Sequence, residues 1–269
     1  PTYKELKAEE EEKEPKLVFT IKDPDGNVVK KEMRTPKKGV QRFNWDLRFV
    51  SEKAVNFNTP SFYNPFAGKD DGTLVEPGTY TVQMDLFKDG NITPLVSPVS
   101  FNVKALKNTT MPAKNREAKV AFQRDMAALE AKAEICQELM SDMNNKLKYI
   151  KQAIEQSELP LGKFSKDVLD IETKLRNLRI AMYGDPVKSE LDIDQPISPM
   201  SRLGIIVGEQ KYSTSTPTQT HRDSYAIAKS EIDTIKQKLE TLYNVDVKQL
   251  EERLVKAGAP YTPGRGMDH

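Results

Sequence analysis

The chain has 269 residues, of which 37% are apolar and 30% are charged, so its length allows one large domain or two ordinary ones. Forty-one basic residues balance forty acidic ones, which does not favour a nucleic acid or an anionic membrane as partner. Cys136 is the only cysteine, and His221 and His269 are the only histidines, so we predict no disulfide, no metal site and no cofactor.

No stretch of the sequence approaches the roughly 20 apolar residues that a membrane span requires. The chain begins at Pro1, without an initiator methionine or a signal peptide. We therefore expect a fragment of a longer chain, and a signal peptide further upstream would not be visible here.

Residues 1–16 are polar and contain the acidic run Glu9 to Glu12. Such a run is typical of a solvated linker or a frayed helix, and we interpret it so. An acidic docking tail is the alternative.

A β-domain is predicted over residues 17–106. Apolar residues alternate at Leu17, Phe19 and Ile21, and a turn of Asp, Pro, Gly and Asn follows at 23–27, so the next strand forms a hairpin with the first. Alternation from Val40 to Leu47 predicts another strand, with its inward face formed by Phe43, Trp45 and Leu47. We expect Trp45, the only tryptophan, to be a core residue rather than a ligand platform.

Residues 50–76 interrupt the alternation with asparagines, prolines, glycines and interleaved aromatic residues. A loop of this length either covers a sheet edge or presents a contact surface. The candidate partner contacts that we predict are aromatic: Phe57, Phe62, Tyr63 and Phe66.

Two strands follow this loop. Thr79 to Phe87 is predicted to be a strand, and a turn at 88–91 leads into residues 92–103. Pro94 and Pro98 indicate an edge position or a bulge there. Several short strands joined by turns predict an antiparallel β-sandwich of the Ig-like or fibronectin type III-like kind.

After residues 107–112 the apolar period changes to 3.5, which predicts long helices. The first stripe is Phe122, Met126, Leu129, Ala133, Cys136, Met140, Met143, Leu147, Ile150 and Ile154. The second stripe is Phe164, Val168, Ile171, Leu175, Leu178 and Met182. The third stripe is Tyr225, Ala228, Ile232, Ile235, Leu239, Leu242, Leu250 and Leu254.

The third stripe slips in phase at residues 244–246, where we expect Asp246 to cap a new helical segment. The connection at 185–217 is long, and its apolar residues from Met200 to Val207 suggest a short docked helix. The predicted fold class is therefore α+β, with the sandwich followed by an antiparallel three-helix bundle over residues 113–258 and a tail at 259–269.

The sequence contains no recognisable catalytic or phosphate-binding motif. Cys136 occupies a heptad core position, and we expect it to be an inert hydrophobe. His221 lies at a predicted helix start, where a capping or surface role is expected. Asp70 and Asp71, with Asn64 or Glu76, could bind calcium, but their spacing does not match an EF-hand loop and we predict no metal site there. We predict no catalytic residue, and expect Asp46 and Asp85 to have no partner.

Six segments together resemble the C-terminal region of a known family. In the β-domain they are residues 25–29 (DGNVV), 39–48 (GVQRFNWDLR) and 77–82 (PGTYTV). In the helical region they are residues 183–186 (YGDP), 225–228 (YAIA) and 257–265 (AGAPYTPGR). Their order and spacing resemble the Ig-like domain and helices that follow the propeller in secreted sortilin-like or BNR-repeat β-propeller proteins of Bacteroidota.

The resemblance implies a non-catalytic structural or protein-interaction module of a secreted or cell-envelope protein. Its expected partners are the upstream β-propeller of the same parent chain and another envelope or secretion-associated protein. The location implied is extracellular, periplasmic or at the cell surface. Family members are often labelled glycosyl hydrolases because of the propeller, which these residues do not include. The alternative is therefore an accessory domain of a glycan- or peptide-active hydrolase that contributes substrate contacts.

Overall fold

A computed structural model describes residues 1–55, 72–106 and 108–264. It is an α+β fold in two compact units. The described residues of the first unit are 1–52, 72–106, 108–124 and 214–216, and those of the second are 53–55, 125–213 and 217–264. The helices and the antiparallel sheet confirm the expected class at this level.

The first unit contains a four-stranded antiparallel sheet in the order β2-β1-β3-β4. Its strands are β1 (Lys16–Lys22), β2 (Val28–Arg34), β3 (Gly78–Lys88) and β4 (Asn91–Val103), and a short helix, α1 (Tyr3–Glu11), precedes them. Both predicted hairpins are present. The two-residue turn between β3 and β4 has positive φ at Asp89 and Gly90, which suits the right-handed twist of its strands.

The prolines of β4 act as expected. This strand lies at an edge of the sheet, and its pairing with β3 is irregular between Val82 and Asp85, opposite the stretch that contains Pro94 and Pro98. A proline has no N–H to donate to a neighbouring strand, so an irregular edge strand accommodates it.

The strand predicted from Val40 to Leu47 is wrong. Residues 40–46 have no regular secondary structure, and the φ of Leu47 is +59°, which ends any extended conformation. Consequently Leu47 is exposed, whereas Phe43 and Trp45 still pack on the sheet. Arg48 makes an isolated antiparallel bridge to Leu74.

One face of the sheet is covered by irregular chain. Ile21, Val29 and Tyr80 of the sheet are buried there, and Trp45 lies with its ring centroid 5.3 Å from that of Tyr80. Phe43 stacks on Phe19 at 4.5 Å. This is the only sheet among the described residues. The second sheet of the predicted sandwich is therefore not seen there, and irregular chain covers the first.

Long helices dominate the second unit. They are α2 (Arg116–Glu155), which begins in the first unit, α3 (Leu161–Tyr183) and α6 (Gln219–Thr241). Every residue of the first two predicted stripes is buried, which confirms both patterns. From Leu129 onward the residues of those stripes share one hydrophobic cluster with α6, because a 3.5-residue period keeps one side of each helix apolar.

The phase slip in the third stripe is a π-helical segment, Leu242–Val247, which leads directly into α7 (Lys248–Lys256). Helical structure is therefore continuous from residue 219 to 256. The expectation that Asp246 caps a new helix is wrong, because Asp246 lies inside this segment and pairs with Lys174. Leu250 and Leu254 are buried as predicted.

The connection at 185–217 contains two helices, α4 (Pro186–Glu190) and α5 (Pro199–Gln210). The second confirms the docked helix expected from the apolar residues 200–207, and its Leu203 and Ile206 are buried. No helix in the described part of the chain has the length and hydropathy needed to cross a membrane.

Candidate functional site

The predicted contact residues Phe57, Phe62, Tyr63 and Phe66 lie outside the described residues, and so do Asn64, Asp70 and Asp71 of the suggested calcium site. Within the described ranges no cluster of three or more histidine, cysteine, aspartate or glutamate side chains could hold a metal ion. Three other features of the described chain are candidates for function, namely a sheet edge, a group of titratable side chains and a groove beside α3.

The sheet edge formed by β4 is apolar and uncharged. None of its 13 residues, NITPLVSPVSFNV, carries a charge. Residues 91–100 are all exposed. The large apolar side chains among them are Ile92, Leu95, Val96 and Val99.

The opposite edge is protected. Strand β2 carries Lys30, Lys31, Glu32 and Arg34, and Lys30 pairs with Asp46 at 2.9 Å. Charged residues on an edge strand discourage pairing with another chain, and an uncharged apolar edge invites it. Pro94 and Pro98 indicated an edge position or a bulge for this strand, but its lack of charge was not used, although the sequence shows it directly.

Titratable side chains of the first unit meet where β3 and α2 begin. Burial and the nearby charge of Glu117 raise the pKa of Glu76, and burial lowers the pKa of the Lys119 ammonium. The pKa of Tyr80 is also raised, mainly by burial, and its hydroxyl donates to the Glu76 carbonyl at 2.8 Å. Shifted pKa values are common at functional sites and at structural charge networks alike.

The groove beside α3 has a volume of about 850 Å³ and is lined by residues of α2, α3 and α4. Arg176 and Arg179 contribute the positive charge of its lining, and Ile180 and Val187 contribute apolar surface. Neither guanidinium donates a hydrogen bond or forms an ion pair with any residue in the described part of the chain.

Gln195 fixes the segment that closes this groove. Its side-chain oxygen accepts the Asp185 N–H at 2.9 Å, and its amide nitrogen donates to the Ser189 hydroxyl at 2.8 Å. Gly184 turns the chain out of α3 with a φ of +90°, a conformation that favours glycine. The groove is therefore preformed rather than assembled from loose side chains.

The structure agrees with the roles expected for Cys136 and His221. Cys136 is 2% exposed, and burial raises the pKa of its thiol, so the nucleophilic thiolate is disfavoured. Nδ1 of His221 accepts the Thr218 N–H at 3.1 Å while the Thr218 hydroxyl accepts the His221 N–H at 3.2 Å. This is a capping box at the start of α6.

The expectation that Asp46 and Asp85 have no partner is wrong. The Asp46 carboxylate accepts from the Lys30 ammonium at 2.9 Å. Asp85 is 6% exposed, and its carboxylate accepts from the Gln83 amide two residues earlier on the same strand face at 2.7 Å. Alternation placed neither side chain correctly, because Asp46 does not lie on a strand and Asp85 is buried rather than outward.

Comparison with known proteins gives no relative for this chain. No family model matches it, and neither a curated protein nor a solved structure does so.

Proposed function

We propose that this chain is a non-catalytic structural and protein-interaction module at the C-terminus of a larger secreted or cell-envelope β-propeller protein. The resemblance of six segments to sortilin-like and BNR-repeat proteins supports this, and so does the contrast between the two sheet edges. The uncharged, exposed edge of β4 carries the proposal, because apolar surface of this kind marks contact sites.

The partner that we propose for β4 is the upstream β-propeller of the same parent chain, in the extracellular space, the periplasm or at the cell surface. Addition of a strand from the partner would supply main-chain hydrogen bonds at the edge. The side chains of Val96 and Val99 would contribute apolar contacts. Pro94 and Pro98 lack an N–H and limit how far a regular ladder extends.

The finer fold that accompanies this proposal is an Ig-like sandwich followed by an antiparallel three-helix bundle. The bridge between Arg48 and Leu74 lies in the segments that cover the sheet, where a sandwich has its second layer. The continuous stripe shared by α2, α3 and residues 219–256 is the pattern that bundles bury.

The test uses the upstream part of the parent chain as a separate polypeptide. Binding to this chain is measured by calorimetry for the unchanged protein and for the double variant Val96→Lys with Val99→Lys. We expect the double variant to lose binding while its circular dichroism stays unchanged, because two charges would be desolvated at the contact. The control, Met33→Lys on the β2 edge, should bind normally.

Equal binding by the β4 variant and the control would contradict the assignment of β4. An upstream sequence without a propeller would contradict the proposed parent protein. The two failures are distinguishable, since the second is decided by sequence alone.

One observation favours the alternative of an accessory domain in a glycan- or peptide-active hydrolase. A carboxyl with a raised pKa at Glu76 beside the charge of Glu117 is a combination found in acid–base chemistry. A panel of glycans, esters and peptides tests it with the full parent chain. Turnover that falls in Glu76→Gln would support the alternative, and turnover that is unaffected would exclude this cluster from the chemistry.

A further inference from the structure

We propose that the groove beside the C-terminal half of α3 binds an acidic segment of a protein partner, with Arg176 and Arg179 contacting its carboxylates. This site belongs to the helical unit and is independent of the proposed contact at β4. It goes beyond the proposed function because it specifies the chemistry of a second partner.

The two arginines form a unit on one side of α3. Residues three apart on a helix are neighbours, about 5–6 Å between their Cβ atoms, so both guanidiniums can contact one short segment. Neither makes a hydrogen bond or an ion pair with any described residue. A guanidinium presents its donors in a planar fork that matches a carboxylate, so two unused forks indicate an anionic ligand.

The groove is also lined by three carboxylates, and none of them forms an ion pair with either arginine in the described part of the chain. Glu172 pairs with Lys151 at 2.6 Å, and the Asp185 carboxylate accepts the Val187 N–H at the start of α4. Glu190 is the third carboxylate and lies on α4 rather than on α3. The positive charge that is free to meet a ligand is therefore concentrated on α3.

The remainder of the lining indicates a peptide rather than a bare anion. Val187 is 59% exposed and Tyr183 is 40% exposed, and Ile180 lies between the two arginines and Tyr183 in sequence. The volume of about 850 Å³ lies within the range of about 300–1,000 Å³ typical of ligand sites and exceeds what a single phosphate fills. Acidic side chains flanking an apolar one would match this lining.

The rigidity of the groove supports binding. The three hydrogen bonds that Gln195 makes to Asp185 and Ser189 hold the α3–α4 corner in place. A preformed site loses less conformational entropy when a ligand binds than a mobile one does.

The experiment measures fluorescence anisotropy of a labelled peptide of alternating glutamate and leucine, with the complete chain. The test variant is Arg176→Gln with Arg179→Gln. The matched control is Lys163→Gln with Lys166→Gln, which removes the same charge with the same spacing from the exposed N-terminal part of α3. Thermal unfolding of both variants verifies that they fold.

We expect saturable binding by the unchanged protein, at least about tenfold weaker binding by the arginine variant, and a change within about twofold for the lysine control. Binding should weaken as salt rises from about 50 to 300 mM, because screening shortens the range of the charges. The β4 variant Val96→Lys with Val99→Lys should bind this peptide normally.

Three outcomes would overturn the proposal. Equal weakening by the lysine control would show that net charge alone attracts the peptide. Displacement of the peptide by inorganic phosphate at equal concentration would identify a phosphate site instead. Absence of saturable binding by the unchanged protein would show that the groove does not take acidic peptides.

Discussion

The ammonium of Lys146 lies 3.0 Å from the carboxylate of Glu251, and both side chains are only 14% exposed. The pair joins the C-terminal part of α2 to α7, over a separation of 105 residues in the chain. The Lys146 ammonium also lies 5.3 Å from the centre of the Tyr243 ring, in a cation–π contact.

Removal of one partner should destabilise the helical unit strongly. For Lys146→Met we expect a loss of about 2–3 kcal/mol in the free energy of unfolding, because the largely buried Glu251 carboxylate would lose its contact with the Lys146 ammonium. The double variant Lys146→Met with Glu251→Leu should recover most of this loss. Urea unfolding of the two single variants and the double variant gives the coupling.

The control for this cycle is the more exposed pair of Lys132 and Asp233, also between two helices. Lys132→Met should cost no more than about 1 kcal/mol, since water screens exposed pairs. Equal costs at the two sites would show that burial does not determine the strength of the inner pair.

Cys136 should resist alkylation in the folded protein. Burial raises the pKa of its thiol, so the reactive thiolate is scarce at pH 8 and access is closed. We expect iodoacetamide to modify it only after unfolding in about 6 M urea. Mass spectrometry measures the extent of modification. Rapid modification of the folded protein would contradict the placement of Cys136 in the core.

The raised pKa of Cys136 makes the stability of the folded protein depend on pH. A thiol whose pKa is raised in the folded state contributes stability at pH values below its ordinary pKa of 9.0. That contribution is lost as the pH rises through the raised pKa of the folded state. Cys136→Ala should therefore lose less stability between pH 8 and 10.5 than the unchanged protein, although it is less stable at pH 8 because of the missing volume.

Glu76→Gln should stabilise the first unit at neutral pH. Burial and the charge of Glu117 raise the pKa of Glu76, so its protonated form contributes stability that is lost as pH rises above the ordinary value of 4.5. The variant should melt at a higher temperature than the unchanged protein at pH 7, and at the same temperature near pH 4. Differential scanning calorimetry at both values measures this.

Glu117→Gln tests why the pKa of Glu76 is raised. With the neighbouring charge removed, the gain from Glu76→Gln at pH 7 should become smaller but remain, since burial is the larger cause. A gain that is the same at pH 4 and pH 7 would point to packing rather than to ionisation.

Trp45→Ala should cost about 2–3 kcal/mol of stability, less than the 3–5 kcal/mol typical of a fully buried tryptophan, because the ring is half-buried. Trp45→Phe should cost about 1 kcal/mol, since it keeps the edge contacts with Tyr80 and Phe101 but loses the hydrogen bond to the Arg48 carbonyl. Urea unfolding gives both values. Unchanged stability with loss of partner binding would make Trp45 a recognition residue.

The helices were predictable because their signal repeats over many turns. Each of the ten apolar positions from Phe122 to Ile154 is buried, and a single exception would not have hidden the pattern. The irregular conformation of residues 40–47 was not predictable. The alternation of apolar and polar residues gives no sign of the positive φ at Leu47. The phase slip in the third stripe was located correctly, but a pattern of side chains does not distinguish a helix cap from a π-helical turn.

The candidate sites were less accessible to sequence reasoning. Asn144 and Arg176 line one groove although they are 32 positions apart, and only the packing of α2 on α3 brings them together. The spacing of Arg176 and Arg179 was visible, but their lack of an internal partner was not. Pairing of charges depends on contacts between elements that no local pattern encodes.

The π-helical turn at Leu242–Val247 makes one place in the last helix tolerant of a change in length. Five positions separate the buried Leu242 and Val247, where an α-helix would need four, so the turn accommodates a single extra residue. Deleting Asn244 would give an uninterrupted α-helix in which Leu250 and Leu254 still face inward. The same deletion elsewhere in residues 219–256 would rotate everything beyond it by about 100° and turn the buried side chains towards water.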